Sequence, residues 1–182
     1  MNTNYEKIKA DLLAFGKKND ACVKQYQRLY KAESIEEVIS VVKDNFWWCT
    51  KYRDFADVIM ANREQFAEHQ IWANQDVEIQ EGVGYLISTE GVINAESRES
   101  STINAESWDT STINATSWNT STINATSRES STINAESWNT STMIIRSSDI
   151  ECEVNDHSIA RYVYENRIVV ADDSLKVEKA QE

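Results

Sequence analysis

The 182-residue sequence contains no proline and only four glycines. Average usage of about 5% and 7% predicts roughly nine and thirteen. Their scarcity excludes a Pro/Gly linker, a collagen repeat and a loop-rich fold built on glycine turns. Cysteine is also sparse. Cys22, Cys49 and Cys152 are odd in number and share no motif spacing, so no disulfide framework is expected and free thiols fit a reducing cytoplasm. No run approaches the ~18 apolar residues of a spanning helix. The first residues lack a charged head followed by an apolar stretch, so no signal peptide is expected. The formal net charge of -12 argues against general nucleic-acid or anionic-membrane binding. Hydrophobic content of 41% is enough for a core.

That charge is not spread evenly. Residues 1–75 carry 11 acids and 11 bases, so the whole excess follows residue 75. The texture changes there too. Apolar residues recur at helical spacing before it, and Ser, Thr and Asn alternate with apolar residues after it. Two domains are expected, helical over 1–75 and β over 76–182.

The first half reads as three or four helices forming a small bundle. Ile8, Leu12, Leu13 and Phe15 make one stripe, and Gly16 is placed to end that helix. Asp20 is expected to cap a second helix carrying Val23, Tyr26, Leu29 and Tyr30. Ser34 with Glu37 forms a capping box before Ile35, Val38, Ile39 and Val42. A further helix is expected over 54–68, with Phe55, Val58, Ile59 and Phe66 on one face. A bundle this small is marginal alone, so docking onto the second half, as a cap on it, is expected.

The second half holds a repeat. Gly91–Ser100, Ser101–Thr110, Ser111–Thr120, Ser121–Ser130 and Ser131–Thr140 align without gaps over 91–140. Position three is always Ile (Ile93, Ile103, Ile113, Ile123, Ile133) and position five always Ala (Ala95, Ala105, Ala115, Ala125, Ala135). Position four is always Asn and position seven always Ser. A fixed short period means one structural unit copied along an axis. Period-two alternation puts Ile, Ala and Ser on one face. Position eight reads Arg98, Trp108, Trp118, Arg128, Trp138. A site that accepts Trp or Arg is not in a narrow dry core, because an unpaired buried Arg costs several kcal/mol. The Ile–Ala–Ser set therefore points inward.

The expected fold class is α+β, a helical bundle followed by a β-solenoid (β-helix) with ten residues per coil. A meander of hairpins is disfavoured. It would not stack like on like, and its tight turns would favour Gly. Degenerate coils are expected before the repeat, through Val77, Ile79, Val83, Leu86 and Ile87. They are also expected after it, from Met143 through Ile150, Val154, Ile159, Val163 and Ile168–Val170 to Val177. The charged tail 172–182 is expected to guard the far end.

The STINA/xSWxT pairs resemble pentapeptide-repeat proteins, and the run is similar to Ser/Thr-rich decapeptide arrays in uncharacterised proteins of gut bacteria and their phages. The resemblance covers about residues 88–146. It implies a quadrilateral β-helix and, from some pentapeptide-repeat proteins, mimicry of duplex DNA toward DNA-handling enzymes. The usual central Leu or Phe falls on Ile only in alternate pentads. Residues 91–140 carry six acids against two arginines, far sparser than a duplex with one charge per about 1.7 Å.

No catalytic constellation is expected. His69 and His157 lack metal-ligand spacing, the serines lack a paired base, and no Gly-rich phosphate loop occurs. Cys22, Cys49 and Cys152 read as small inward residues. No cofactor or metal is expected. Thr110, Thr120 and Thr140 give way to Ser100 and Ser130, which interrupts any ice-binding Thr plane. The expectation is a non-enzymatic cytoplasmic binding or scaffold protein, phage- or mobile-element-encoded. It would present the column Arg98, Trp108, Trp118, Arg128 and Trp138 to a protein partner or to a second copy in a homo-oligomer, and would neither span a membrane nor bind nucleic acid directly. The alternative is an acidic nucleic-acid mimic.

Overall fold

The computed structural model describes residues 3–146, 150–154, 159–164 and 166–170. The chain divides into two compact units between Ala73 and Asn74. Val177, His157 and the tail 172–182 lie outside the described residues, as does the side chain of Cys152.

The first unit holds helices α1 (Thr3–Lys18), α2 (Val23–Lys31), α3 (Ile35–Asp44), α4 (Phe46–Cys49), α5 (Phe55–Ala61) and α6 (Arg63–Glu68), then strand β1 (Ile71–Ala73). Ile8, Leu12, Phe15, Val38, Ile39, Val42, Phe46, Phe55, Ile59 and Phe66 form its core. The Ser34 cap is present. Its side chain accepts from the Glu37 amide at 3.2 Å, while the Glu37 carboxylate reaches back to the Glu33 amide at 2.8 Å.

Several expectations for this unit are corrected. Gly16 does not end α1. It lies inside the helix, where an added Cβ would make only ordinary contacts with the Ala21 Cβ at 3.4 Å and the Tyr26 ring at 3.5 Å. Asp20 ends α1 instead of starting α2. It takes φ 55°, and the Ala21 amide returns to the Gly16 carbonyl at 2.8 Å, the six-to-one closure of a Schellman motif. The helix expected over 54–68 breaks at buried Asn62, φ −134°. There the Asn62 amide donates to Asp11 and to the Val58 carbonyl, and its Oδ1 accepts from Lys7 at 2.6 Å. A side chain held by three partners displaces regular helix. On α2, Val23 and Tyr30, expected in the helix's stripe, face solvent, and Cys22, expected as an inward residue, is exposed.

The second unit contains β2 (Val77–Ile79), β3 (Val83–Ser88), β4 (Val92–Ser97), β5 (Thr102–Ser107), β6 (Thr112–Ser117), β7 (Thr122–Ser127) and β8 (Thr132–Ser137). They are followed by β9 (Thr142–Ile145), β10 (Ile150–Val154), β11 (Ile159–Tyr162) and β12 (Arg167–Val170). It is a parallel β-solenoid with two walls. Even strands β2, β4, β6, β8 and β10 form one sheet, and odd strands β3, β5, β7, β9 and β11 form the other. Strand β12 turns back antiparallel onto β11.

The expected ten residues per coil is corrected to twenty. Ile93 stands beside Ile113 and Ile113 beside Ile133, while Ile103 stands beside Ile123. Chain length explains it. A six-residue strand advances five Cα steps, about 17 Å, and the four linking residues give five steps, at most about 18 Å when fully extended, which leaves no length for two turns. The chain cannot return to the start of its own strand, so it runs back along a second wall. Each decapeptide is half a coil. The composition of position six agrees. Glu96, Glu106, Thr116, Thr126 and Glu136 become Glu–Thr–Glu on one wall and Glu–Thr on the other. Within the exact repeats no two carboxylates stack at the ~4.8 Å strand spacing, while at the ends Glu78 stands beside Glu96 and Glu153 beside Glu136.

The inward set is as expected. Ile93, Ile103, Ile113, Ile123 and Ile133 and the five repeat alanines are at most 4% exposed, and Met143 continues the row. Position one was missed as an inward site: Ser101, Ser111, Ser121, Ser131 and Ser141 are all buried. Each pairs with the Ser of position seven four residues earlier, as in Ser97–Ser101 and Ser117–Ser121, both 2.7 Å. Each also donates to the position-seven carbonyl, or its equivalent, one coil below: Ser111 to Ser88 at 3.0 Å, Ser121 to Ser97 at 3.1 Å, Ser131 to Ser107 at 2.8 Å. Those carbonyls also accept the position-eight amides of the next coil. The corners are thus tied between coils as firmly as the strands. Ser121→Ala leaves these acceptors short of a donor and should lower stability by about 1–3 kcal/mol, read as a lower denaturant midpoint with unchanged slope.

Position nine turns each corner with positive φ: Glu99 55°, Asp109 55°, Asn119 58°, Glu129 58°, Asn139 52°. Asn and Asp tolerate this left-handed region, whereas Glu is strained there. Glu99→Asn and Glu129→Asn should therefore each raise stability, by about 0.5–1 kcal/mol, measured by chemical denaturation. Unchanged or lower midpoints would contradict this account of the corner.

Candidate binding surface

Two-walled coiling splits the expected position-eight column in two. Arg98, Trp118 and Trp138 follow the even strands β4, β6 and β8, and Trp108 and Arg128 follow the odd strands β5 and β7. Consecutive residues of the expected single column lie on different walls. The twenty-residue register brings like positions together instead.

On the even side, the Trp118 and Trp138 rings stack with centroids 5.4 Å apart and planes 8° apart. Such a pair contributes about 0.5–1.5 kcal/mol beyond buried area. Both rings are half-buried, and both indole N–H groups are shielded without a partner. Arg98 is exposed and clasped by Glu96 at 2.8 Å and Glu78 at 3.2 Å. These two carboxylates raise its pKa further, chiefly through the Glu96 hydrogen bond. Beside them runs an amide ladder, in which Asn114 donates to Asn94 at 3.1 Å and Asn134 donates to Asn114 at 3.0 Å. Asn94 and Asn134 are exposed.

The odd side has the same positions but a different surface. The Arg128 guanidinium lies over the Trp108 ring, 5.2 Å from its centroid, and pairs closely with Glu106. Glu106 is fully buried although position six faces outward, and its column neighbours Ile87 and Thr126 are buried too. Asn124 donates to Asn104 at 3.0 Å, and Asn104 is itself buried. The outer face of the odd sheet is therefore largely withdrawn from solvent, while that of the even sheet is open. Sequence alone could not separate them, since both carry the same repeat. Arg128 was expected as an exposed contact residue. It is instead half-buried and committed to Glu106 and Trp108, because a buried carboxylate needs a cation.

Among the described residues, no group of three His, Cys, Asp or Glu side chains could hold a metal ion. His69 follows α6 as its C-terminal cap. Among these residues too, no helix is long and apolar enough to cross a membrane. Cys22 and Cys49 are free thiols, and burial pushes Cys49 up to about 12. No family model, curated protein or solved structure matches the chain.

Double-mutant analysis measures the Arg128–Glu106 pair. Arg128→Met should destabilise by about 2–4 kcal/mol by weakening the compensation of a buried charge. Arg128→Met with Glu106→Gln should cost less than the two single changes added together, with coupling of at least about 1 kcal/mol. Strict additivity would show that the pair carries no coupling.

Proposed function

We propose that the protein is a non-enzymatic binding or scaffold module that presents the outer face of the even sheet to a protein partner. The observation that carries this reading is the stacked Trp118–Trp138 pair beside the open Asn94–Asn114–Asn134 ladder. Trp and Arg dominate interface hot spots, and a rigid aromatic pair loses little entropy when it is covered. Arg98 borders the same strip. A parallel sheet tied at every corner holds these groups at fixed spacing before any partner arrives.

Acidic nucleic-acid mimicry has less support. Glu96 and Glu106 are neutralised by Arg98 and Arg128, so the acids do not form a regular row. Free Cys22 and Cys49 suit a reducing compartment, and the reading places the module in a cytoplasm, acting on a host protein.

The test compares capture of host proteins by the wild-type chain and by Trp118→Ser/Trp138→Ser. Circular dichroism and a melting curve establish that the variant is folded. A specific partner captured by wild type should bind the variant at least about ten-fold more weakly, as expected for loss of a hot spot. Capture that does not depend on the two tryptophans would overturn the reading. Sedimentation at rising concentration distinguishes a second copy of the chain as the partner.

A further inference from the structure

Resting on the reading that the even wall meets a protein partner, we propose that the partner brings an arginine to it. The guanidinium lies over the Trp138 ring and pairs with Glu136.

The solenoid shows twice how it answers its own outward carboxylates. On the odd wall, Glu106 lies on β5 and Trp108 just follows it. Arg128, which follows β7 in the next coil, covers both. Its guanidinium is 5.2 Å from the Trp108 ring centroid and pairs closely with Glu106. At the near end of the even wall, Glu78 stands beside Glu96 in the parallel register, and Arg98 bridges them at 3.2 and 2.8 Å. In both places a guanidinium offsets a carboxylate that is costly alone. Like charges directly opposite on neighbouring strands repel, and a buried charge loses its water.

The far end of the even wall repeats the arrangement without the arginine. Glu136 lies on β8 and Trp138 just follows it, the same two repeat positions as Glu106 and Trp108. Glu153 of β10 takes the register position beside Glu136, as Glu78 does beside Glu96. Among the described residues, Glu136 makes no ion pair, and the only ring contact of Trp138 is its stack with Trp118. Trp118 belongs to the preceding coil, so that stack uses one face of the ring. The other face is turned toward the next coil, the side from which Arg128 covers Trp108. Val154 pairs with Ser137, and the residue after it in the sequence is Asn155, not arginine.

Glu136 and Trp138 are both only half-buried, so a partner's side chain reaches them from solvent. The pair favours arginine over lysine. A planar guanidinium stacks on an indole and donates to a carboxylate in its own plane at the same time, whereas an ammonium is a strongly hydrated point charge.

The experiment titrates the full chain with a capped peptide of alternating Arg and Gly, and with its Lys counterpart of equal charge, following indole N–H and backbone amide NMR signals. The Arg peptide should bind saturably, with shifts centred on Trp138 and β8, and about five-fold more tightly than the Lys peptide, the worth of one cation–π contact. Glu136→Gln should weaken the Arg peptide about three- to five-fold. The same substitution should leave the denaturant midpoint of the free protein unchanged or raise it, because it removes an unbridged charge beside Glu153. A lowered midpoint would show that Glu136 is already paired within the chain, and would overturn the proposal. Equal affinity for the two peptides, or shifts spread over the whole β unit, would overturn it as well. A host partner that needs Trp118 and Trp138 but binds Glu136→Gln at full strength would leave the docking reading standing and overturn the arginine alone.

Discussion

The solenoid depends on one constraint: within the repeat, each strand residue lies beside its counterpart twenty residues away, and the end coils keep the same parallel stacking at slightly shorter spacing. The parallel ladder between coils imposes this register, and the side chains must then tolerate their own copies at close range. Ile and Ala stack on themselves inside without polar atoms to satisfy. Asn stacks outside by donating an amide to the carbonyl oxygen of the next Asn. Ser repeats at the corners because its hydroxyl can pair with a second Ser and reach a carbonyl one coil below. Glu tolerates its own copy least: within the exact repeats it alternates with Thr, and where Glu78 stands beside Glu96, Arg98 pairs with both. The repeat is thus a set of residues chosen for self-compatibility in a parallel stack.

The same constraint explains the composition. Proline would remove a ladder hydrogen bond wherever it entered a coil. Corners turn through left-handed Asn, Asp and Glu with Ser and Thr beside them, so glycine is dispensable. The acidic excess belongs to the β unit, yet some of its carboxylates are spent within the fold. Glu106 is buried against Arg128, and Asp76 accepts from the Asn94 backbone at 2.7 Å where the first coil begins. The two walls then diverge in exposure, although they share one repeat. The even wall keeps its amides and stacked indoles toward solvent, and the odd wall buries the equivalent column.

Much of the architecture was legible in the sequence. The Trp/Arg exchange at position eight identified the outward face, and the constancy of Ile and Asn identified stacking instead of hairpins. The coil length is also written there: four linking residues have no length to spare for two turns and a return along a six-residue strand. The corner serines were hidden because alternation does not continue through a turn. In the helical unit, the Ser34–Glu37 cap could be read because it is local. Asn62 could not, since it answers to Lys7 and Asp11, contacts made by tertiary packing. The commitment of Arg128 to Glu106 is of the same kind, twenty-two residues apart and visible only once the register is known.

Disulfide trapping tests the twenty-residue register most directly. With Cys22, Cys49 and Cys152 replaced by Ser, one variant carries Asn114→Cys and Asn134→Cys, and a second carries Asn114→Cys and Asn124→Cys. Neighbouring strands are about 4.8 Å apart, within the Cα separation of about 4.4–6.8 Å that a disulfide bridges. The register predicts that the 114–134 pair closes rapidly under mild oxidation and that the 114–124 pair stays reduced in the folded protein. Closure of 114–124 with 114–134 left open would return the coil to ten residues and contradict the account.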